Sequence, residues 1–364
     1  MHWLLLFIVF LVSLTCHDGA SRAHEQHSKD QNKRKSTGKK SSDHVHETVS
    51  PKSKNTKTRE TSTNKQTQMP QQSRTNESVI AFTRKENLAS QRFTICAVVC
   101  DEDLYIRDWI DYHLLLGFET IYLFDNSRNG SATIAYLPQH YESGRLKVTR
   151  APGNGIQLKI YNLFVQHIGL ISPVPLWTAF IDVDEYIVLR KHPTIQSFMS
   201  EVAPTGGAVA IHRVQFGSNG QLNYQKAPVL SRFTARKTAA ERTTKLIVYL
   251  PDVVEVQLYH SVLRNATYTV RPNGKKINKR DTPSIEIASI NHYYTKSMEE
   301  FRIKKLRGHA LDTHLNTQYN SSVHSDNIML TEFIEADAGA NAVQDTFAWE
   351  FYKKGVLERS RVSS

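Results

Sequence analysis

The chain has 364 residues, 40% of them hydrophobic, a net charge of +11 and three cysteines. That length holds one large domain or two small ones, with enough apolar material for a core. The positive charge alone would suggest a nucleic acid or an anionic surface as partner, but its placement argues otherwise. His24 to Ser78 carries 12 Lys/Arg against 6 Asp/Glu, hence +6 of the total, with no Phe, Tyr or Trp. A basic run without stacking aromatics is a poor nucleic-acid binder, so no nucleic-acid partner is expected.

The same stretch offers only Val45, Val49 and Met69 as sizeable apolar side chains. It cannot bury enough surface to offset the entropy of ordering, and residues 24–89 are read as a disordered basic stem or linker. Before it, Trp3 to Cys16 is apolar and uncharged. Its length is below the roughly 17–25 residues of a spanning helix and fits the core of a signal peptide. Residues 1–23 are therefore either a signal peptide, cleaved near Ala20 or Ala23, or a short type II membrane anchor, and both send the folded part to the lumenal or outer side. Sequons at Asn76, Asn129, Asn265 and Asn320 are compatible with that route. Cys96 and Cys100 sit in a strand-like run, about 13 Å apart at ~3.3 Å per residue and beyond disulfide reach.

From residue 90 the pattern alternates strand and helix. Phe93–Cys100 is a continuous apolar run of strand length, and Asp103–Leu116 places Leu104, Trp109, Tyr112, His113 and Leu116 at helical spacing before Gly117. Strands follow at Thr120–Phe124, Arg145–Thr149 and Leu176–Asp182, with a helix over Ile156–Ile171. Further on, Ala208–Arg213 and Lys245–Leu250 read as strands, Gly217–Gly220 as a loop, and Glu299–Arg307 and Thr346–Lys353 as helices. This order predicts an α/β fold: a mainly parallel sheet with helices on both faces, spanning 90–335, followed by a C-terminal helix and tail over 336–364. Ligands of such sheets lie at the carboxyl ends of the strands. Asp101-Glu102-Asp103, Asp125-Asn126-Ser127 and Asp182-Val183-Asp184-Glu185 all fall at such ends.

The last cluster is the most informative, with three carboxylates inside an apolar stretch. In an extended strand Asp182 and Asp184 would point the same way, about 6–7 Å apart, and would repel by roughly 2.5 kcal/mol at an effective dielectric of 20. A bound cation reverses that sign. Hard oxygen ligands suit Mn²⁺ or Mg²⁺, which would neutralise a diphosphate leaving group; an ordinary acidic turn is the alternative. His260 and His292 are candidates to complete the metal's ligands. Lys296 and Arg307, in the basic stretch from Asn291 to Gly308, are candidates for phosphate contact. Cys100-Asp101-Glu102 and Asp125-Asn126-Ser127 could line a nucleotide pocket, although Asp-Asn-Ser is also good turn chemistry. Neither GxGxxG nor GxxxxGK[ST] is present.

Taken in order, these pieces resemble glycosyltransferase family 92 and the related glycosyltransferase-2-like group. The resembling blocks are DEDLYIRDWIDYHLLLGFETIYLFDNS, Gln157 with Tyr161-Asn162, WTAFIDVDEYIVL, FGSNG from Phe216, Lys245–Pro251 with His260, and NHYYTKSMEEFRIKKLRG. The resemblance implies a GT-A fold and a metal-dependent hexosyltransferase. Its donor would be a UDP-sugar, galactose first, and its acceptor a glycan of a polysaccharide or glycoprotein. Inversion, Mn²⁺ and a Golgi type II topology are implied as well, the alternative being secretion after signal cleavage. It implies Asp182 and Asp184 as the metal motif, Glu102, Asp125–Ser127 and Gln157 toward the nucleotide sugar, and Trp109 and His113 bracing the first helix. His292, Lys296, Lys304 and Arg307 would close the donor site, with Phe216, Gly217 and Ser218 on the acceptor side. Cys100-Asp101-Glu102 stands where the family commonly shows Lys-Asn-Glu.

Inversion requires a base for the acceptor hydroxyl, and Glu185, Glu241 and Asp252 are the candidates. Two other readings remain open at this point: a transferase-like carbohydrate-binding protein, and a surface-binding protein whose basic tail matters most.

Overall fold

In the computed structural model of the chain, the described residues are 91–127, 138–172, 176–257, 261–263, 267–278, 280–307 and 326–362. The leader and stem, the four sequons and His260 lie outside them. Among the described residues, no helix is long and apolar enough to cross a membrane.

The apolar run after Gln91 becomes β1 (Arg92–Val99), buried on both faces: Ile95, Ala97 and Val99 face one core layer, Cys96 and Val98 the other. Cys96 and Cys100 form no disulfide, and Cys96 is fully buried. β1 lies parallel to β2 (Thr120–Asp125) on one side and to β4 (Leu176–Phe180) on the other, with β3 (Leu146–Arg150) parallel to β2. This parallel half follows the sequence closely. Beyond β4 come strands the alternation did not orient. The sheet order is β3-β2-β1-β4-β8-β6-β12-β5, where β5 is Glu185–Leu189, β6 Ala208–Gln215, β8 Thr244–Tyr249 and β12 Ala288–His292. β8 is antiparallel to both β4 and β6, and β5 is antiparallel to β12. β11 (Thr269–Val270) and β12 run parallel to β6 along one edge, at its beginning and its end. Two short antiparallel ladders lie outside the sheet, β9 (Val253–Val256) with β10 (Ser261–Leu263) and β7 (Ala235–Arg236) with β13 (Val343–Gln344).

The helices divide between the two faces. α1 (Ile106–Leu115) and α4 (Ile195–Val202) belong to one layer, and α3 (Gln157–Ile171) to the other. α2 (Pro138–Glu142) precedes β3. α1 begins three residues later than expected, because the amides of Tyr105 and Ile106 both donate to Glu102 O and close a turn there. Leu104 is accordingly 50% exposed and off the apolar face. Past the end of α1, Gly117 has φ +105°, a conformation glycine adopts without penalty. A Cβ there would also stand 2.5 Å from the Gln196 side chain.

α1 holds the strand that follows the acidic cluster. Trp109 Nε1 donates to Glu185 O at 2.7 Å, Tyr112 OH donates to Ile187 O at 3.0 Å, and His113 Nε2 accepts from Ile187 N at 3.3 Å. The other ring nitrogen, Nδ1, donates to Trp109 O. The C-terminal part also joins this core. Asp345 is gripped by Arg190 and Arg236, each at 2.7 Å, and Tyr352 of α8 (Phe347–Val362) reaches Asp108. α8 runs well beyond the eight-residue helix expected, with Ala348 and Tyr352 in the core layer of α1.

Burial pushes the pKa of His113 down from 6.5 to about 3, the hydrogen bond to Trp109 offsetting only part of the effect. The ring stays neutral in the fold while an unfolded His takes up a proton near pH 6.5, so stability is lost as pH falls from there toward 3, by about 1.4 kcal/mol per pH unit. Urea unfolding at pH 7.5 and 5.5 should show this loss. His113→Gln, uncharged at both values, should be less stable throughout but should flatten the pH dependence by close to one proton.

Candidate active site

β4 ends at Phe180, and the chain turns at Asp182–Asp184 instead of running on extended. Glu185 N donates to Asp182 O, and the Glu185 carboxylate accepts from Asp182 N. The turn carries the chain from the middle of the sheet to its edge, where Tyr293 N donates to Asp184 O at 2.8 Å. Both aspartates still face one cavity of about 230 Å³, shared with Glu102, Gln157, His292, Lys304 and Arg307. The cavity lies past the carboxyl ends of β1, β4, β6 and β12, beside the start of α3.

Each carboxylate has its own cation. Asp182 accepts from Gln157 Nε2 at 2.6 Å and from Lys245 Nζ at 2.7 Å, using one oxygen for each. Lys245 lies 3.0 Å from the fully buried Glu185, whose other oxygen is 3.5 Å from Arg213. Asp184 is bonded to Lys304 and stands 3.6 Å from His292 Nε2. Arg307 is bonded to Glu102, whose second oxygen is buried without a partner among the described residues. Lys304 and Arg307 both come from α6 (Met298–Arg307), and Lys304 also lies over the Tyr294 ring at 4.2 Å.

These contacts set the protonation states. Burial opposes ionisation of Asp184, but Lys304 and then His292 outweigh it and hold the carboxyl well below its usual range. For Asp182, Lys245 likewise outweighs burial and the pKa falls. Glu185 goes the other way: burial raises it and Lys245 compensates only in part. Lys245 is raised, since Asp182 and Glu185 together exceed the effect of its burial.

Several expected residues do not reach the cavity. Asp252 is buried near the far end of β8, accepting from Gly207 N at 2.7 Å, and is removed as a base. Glu185 is sealed beneath the cavity by Lys245 and Arg213 and is removed for the same purpose. Glu241 pairs with Arg213 at 2.8 Å and keeps 25% exposure, so it is the acid left beside the cavity wall. Asp125, Asn126 and Ser127 build a turn: Asp125 accepts from Ser127 N, Asn126 donates to the carbonyls of Ala151 and Gly153, and Ser127 Oγ accepts from Asp101 N. Phe216, Gly217 and Ser218 pack against the C-terminal part instead of opening to an acceptor. Phe216 is buried, Ser218 is tied to Asp337, and a Cβ on Gly217 would lie 2.2 Å from Asn341. Lys296 lies behind the cavity at φ +52°, its ammonium 4.3 Å from the centre of the Tyr105 ring. Burial lowers its pKa, Glu102 and Asp184 offsetting only part.

Cys100 lines the cavity beside Glu102, whereas Lys245 and Arg213 were not foreseen as site residues. Lys245 and Arg213 carry the signal of a cation inside an apolar strand, TKLIVY and AVAIHRVQ. Because Lys245 compensates two buried acids, Lys245→Met should lower stability by about 3–5 kcal/mol. Denaturant unfolding should read this loss, and Lys245→Met combined with Asp182→Asn should recover part of it.

A family model described as "Glycosyltransferase family 92" matches residues 173–330, which hold the acidic turn, β6, β8, β12 and α6. A glycosyltransferase family 92 protein of Oryza sativa subsp. japonica is 25% identical over 213 residues, covering 58% of this chain and 34% of that protein. One of Ricinus communis is 20% identical over 238 residues, covering 62% and 39%. The chain thus spans little more than a third of the length of these relatives. Among solved structures, S. aureus TarS 1-349 in complex with UDP is similar at a TM-score of 0.30 and 14% identity, covering 50% of this chain and 60% of that one. A second TarS structure scores 0.31 at 13% identity, covering 67% and 43%. The matched segment supplies most of the cavity wall, and in that segment the chain is similar to glycosyltransferase family 92.

Proposed function

We propose that this chain is a metal-dependent glycosyltransferase. It moves a hexose, galactose first, from a UDP-sugar to a glycan of a polysaccharide or glycoprotein, with inversion at the transferred carbon. The observation that carries the reading is the single cavity at the strand ends. There Asp184 and His292 present a carboxylate and an imidazole 3.6 Å apart, beside Lys304 and Arg307. A carboxylate oxygen and an imidazole nitrogen are a donor pair suited to Mn²⁺. Among the described residues no group of three His, Cys, Asp or Glu joins there, so the other ligands would be diphosphate oxygens and water. Asp182 spends both oxygens on Gln157 and Lys245 and positions the turn. When bound, the ion would offset the charge on the departing diphosphate.

The chain's own residues complete the chemistry. Lys304 transfers its ammonium from Asp184 to a phosphate oxygen as donor arrives, and Arg307 adds a second charge-assisted donor. The unpartnered oxygen of Glu102 is an acceptor for an N–H or O–H of the nucleotide. Glu241 is the base we assign: Arg213 outweighs burial and lowers its pKa, so it is ionised at neutral pH. The acceptor hydroxyl gives its proton to Glu241 as its oxygen attacks the anomeric carbon from the side opposite the leaving diphosphate. The apolar leader supports a route through the secretory pathway, with the Golgi membrane as destination.

Asp184→Asn should abolish Mn²⁺-dependent UDP binding in calorimetry and lower transfer from UDP-galactose at least a hundredfold. Retained Mn²⁺-dependent binding in this variant would refute the metal assignment. Lys304→Met separates the two roles of that lysine: Mn²⁺ alone should bind about tenfold more tightly, because a competing charge worth about 1.4 kcal/mol leaves Asp184, while UDP affinity at saturating Mn²⁺ falls. Glu241→Gln should lower kcat without changing UDP affinity.

A further inference from the structure

A second cavity, of about 350 Å³, lies on the other face of β6. Successive residues of a strand point to opposite faces. Arg213 lines the donor cavity and its neighbour His212 lines this one. The walls come from the segment after β11, with Arg271 and Lys275, and the segment before β12, with Asp281 and Glu286.

His212 is 3% exposed, and its Nδ1 accepts from Ser284 N at 3.3 Å. Burial, and then Arg271, lower its pKa, so the ring is neutral and its proton sits on Nε2. That N–H has no partner among the described residues. It opens on the cavity that His212 lines and is available to a ligand held there.

The lining indicates the ligand's chemistry. Arg271 is satisfied by Asp281 at 3.4 Å, whereas Lys275 and the Glu286 carboxylate have no ion-pair partner among the described residues. Two cations against two carboxylates leave no net charge to attract an anion. Free donors (Lys275, His212 Nε2) and a free acceptor (Glu286) face the same space, with Pro272 and Ile287 supplying an apolar wall. A hexose ring needs such a lining: hydroxyls that both give and accept, and a C–H face that takes apolar contact.

We infer that this cavity is a second saccharide site, separate from the donor cavity and on the opposite face of the sheet, which binds a hexose unit of a glycan. The inference rests on the glycosyltransferase reading for its biological sense, since a distant sugar of a long acceptor or product could be retained there while the reacting end occupies the other face. Tethering of this kind raises affinity for extended glycans without new contacts at the reacting sugar.

The test is saturation-transfer NMR on the full chain, with methyl glycosides of galactose, glucose and N-acetylglucosamine and their β-linked disaccharides as probes, with and without saturating UDP and Mn²⁺. The expected result is a saccharide signal that persists when UDP is bound. It should weaken at least tenfold in Asn273→Trp, which fills the cavity from an exposed loop position, and in His212→Asn, which keeps an acceptor near Ser284 but removes the Nε2 donor. Both variants should keep the wild-type unfolding midpoint and UDP affinity. Absence of any saccharide signal, or one that both variants leave unchanged, overturns the inference. Failure of UDP to bind the wild type counts against the donor cavity instead, and the saccharide signal with its loss in Asn273→Trp still decides the second site.

Discussion

The site depends on a buried knot of charge: the Lys245 ammonium held between Asp182 and Glu185. Three charged groups out of water are costly unless each is compensated by the others, and the lysine here meets both acids. Lys245 sits 2.7 Å from one acid and 3.0 Å from the other, Gln157 donates to the remaining Asp182 oxygen, and Arg213 stands 3.5 Å from the remaining Glu185 oxygen, which takes no hydrogen bond among the described residues. This knot permits a chain full of acid to turn at the end of β4 and cross to the sheet edge. It also leaves Asp184, one residue past Val183, facing the cavity with Lys304 and His292 as neighbours.

The edge strand β5 pairs with one strand, the antiparallel β12, and the helix after it, α4, does not return the chain to a parallel neighbour. α1 holds β5 by side chain. Trp109, Tyr112 and His113 each bond to the β5 backbone, and β12 pairs with its other side. The same residue, Glu185, thus takes a hydrogen bond from the tryptophan through its carbonyl and anchors Lys245 through its carboxylate. Core packing and site geometry are linked at one position, so apolar residues of α1 bear on the site without touching it.

Charge in the cavity is arranged in pairs, each broken differently by a ligand. Lys304 and Arg307 lie one helical turn apart on α6 and reach two different acids, Asp184 and Glu102. An incoming anion competes for the lysine and arginine; an incoming cation competes for the aspartate. The two ligands therefore favour each other, because each releases the group that the other needs. The β6 strand extends this economy across the sheet, with Arg213 turned to one cavity and His212 to the other.

The sequence by itself determined the parallel half of the fold. The runs FTICAVV, TIYLF and LWTAF are too apolar for anything but buried strands, and their polar ends marked where a ligand would lie. It also determined that the Asp182–Glu185 cluster needed compensation, since like charges in an apolar stretch require it. Only the tertiary structure decided what compensates. Lys245 and Arg213 are brought to the cluster by long-range strand pairings that join Lys245 to Asp182, 63 positions away, and Arg213 to Glu185, separations no local period records. The same long-range pairing removed Asp252 by placing it at the other end of β8, and turned Phe216–Ser218 inward against the C-terminal helices. Local chemistry fixes which residues must be buried or neutralised; the partner that buries or neutralises them is set by sheet order, which only the assembled chain expresses.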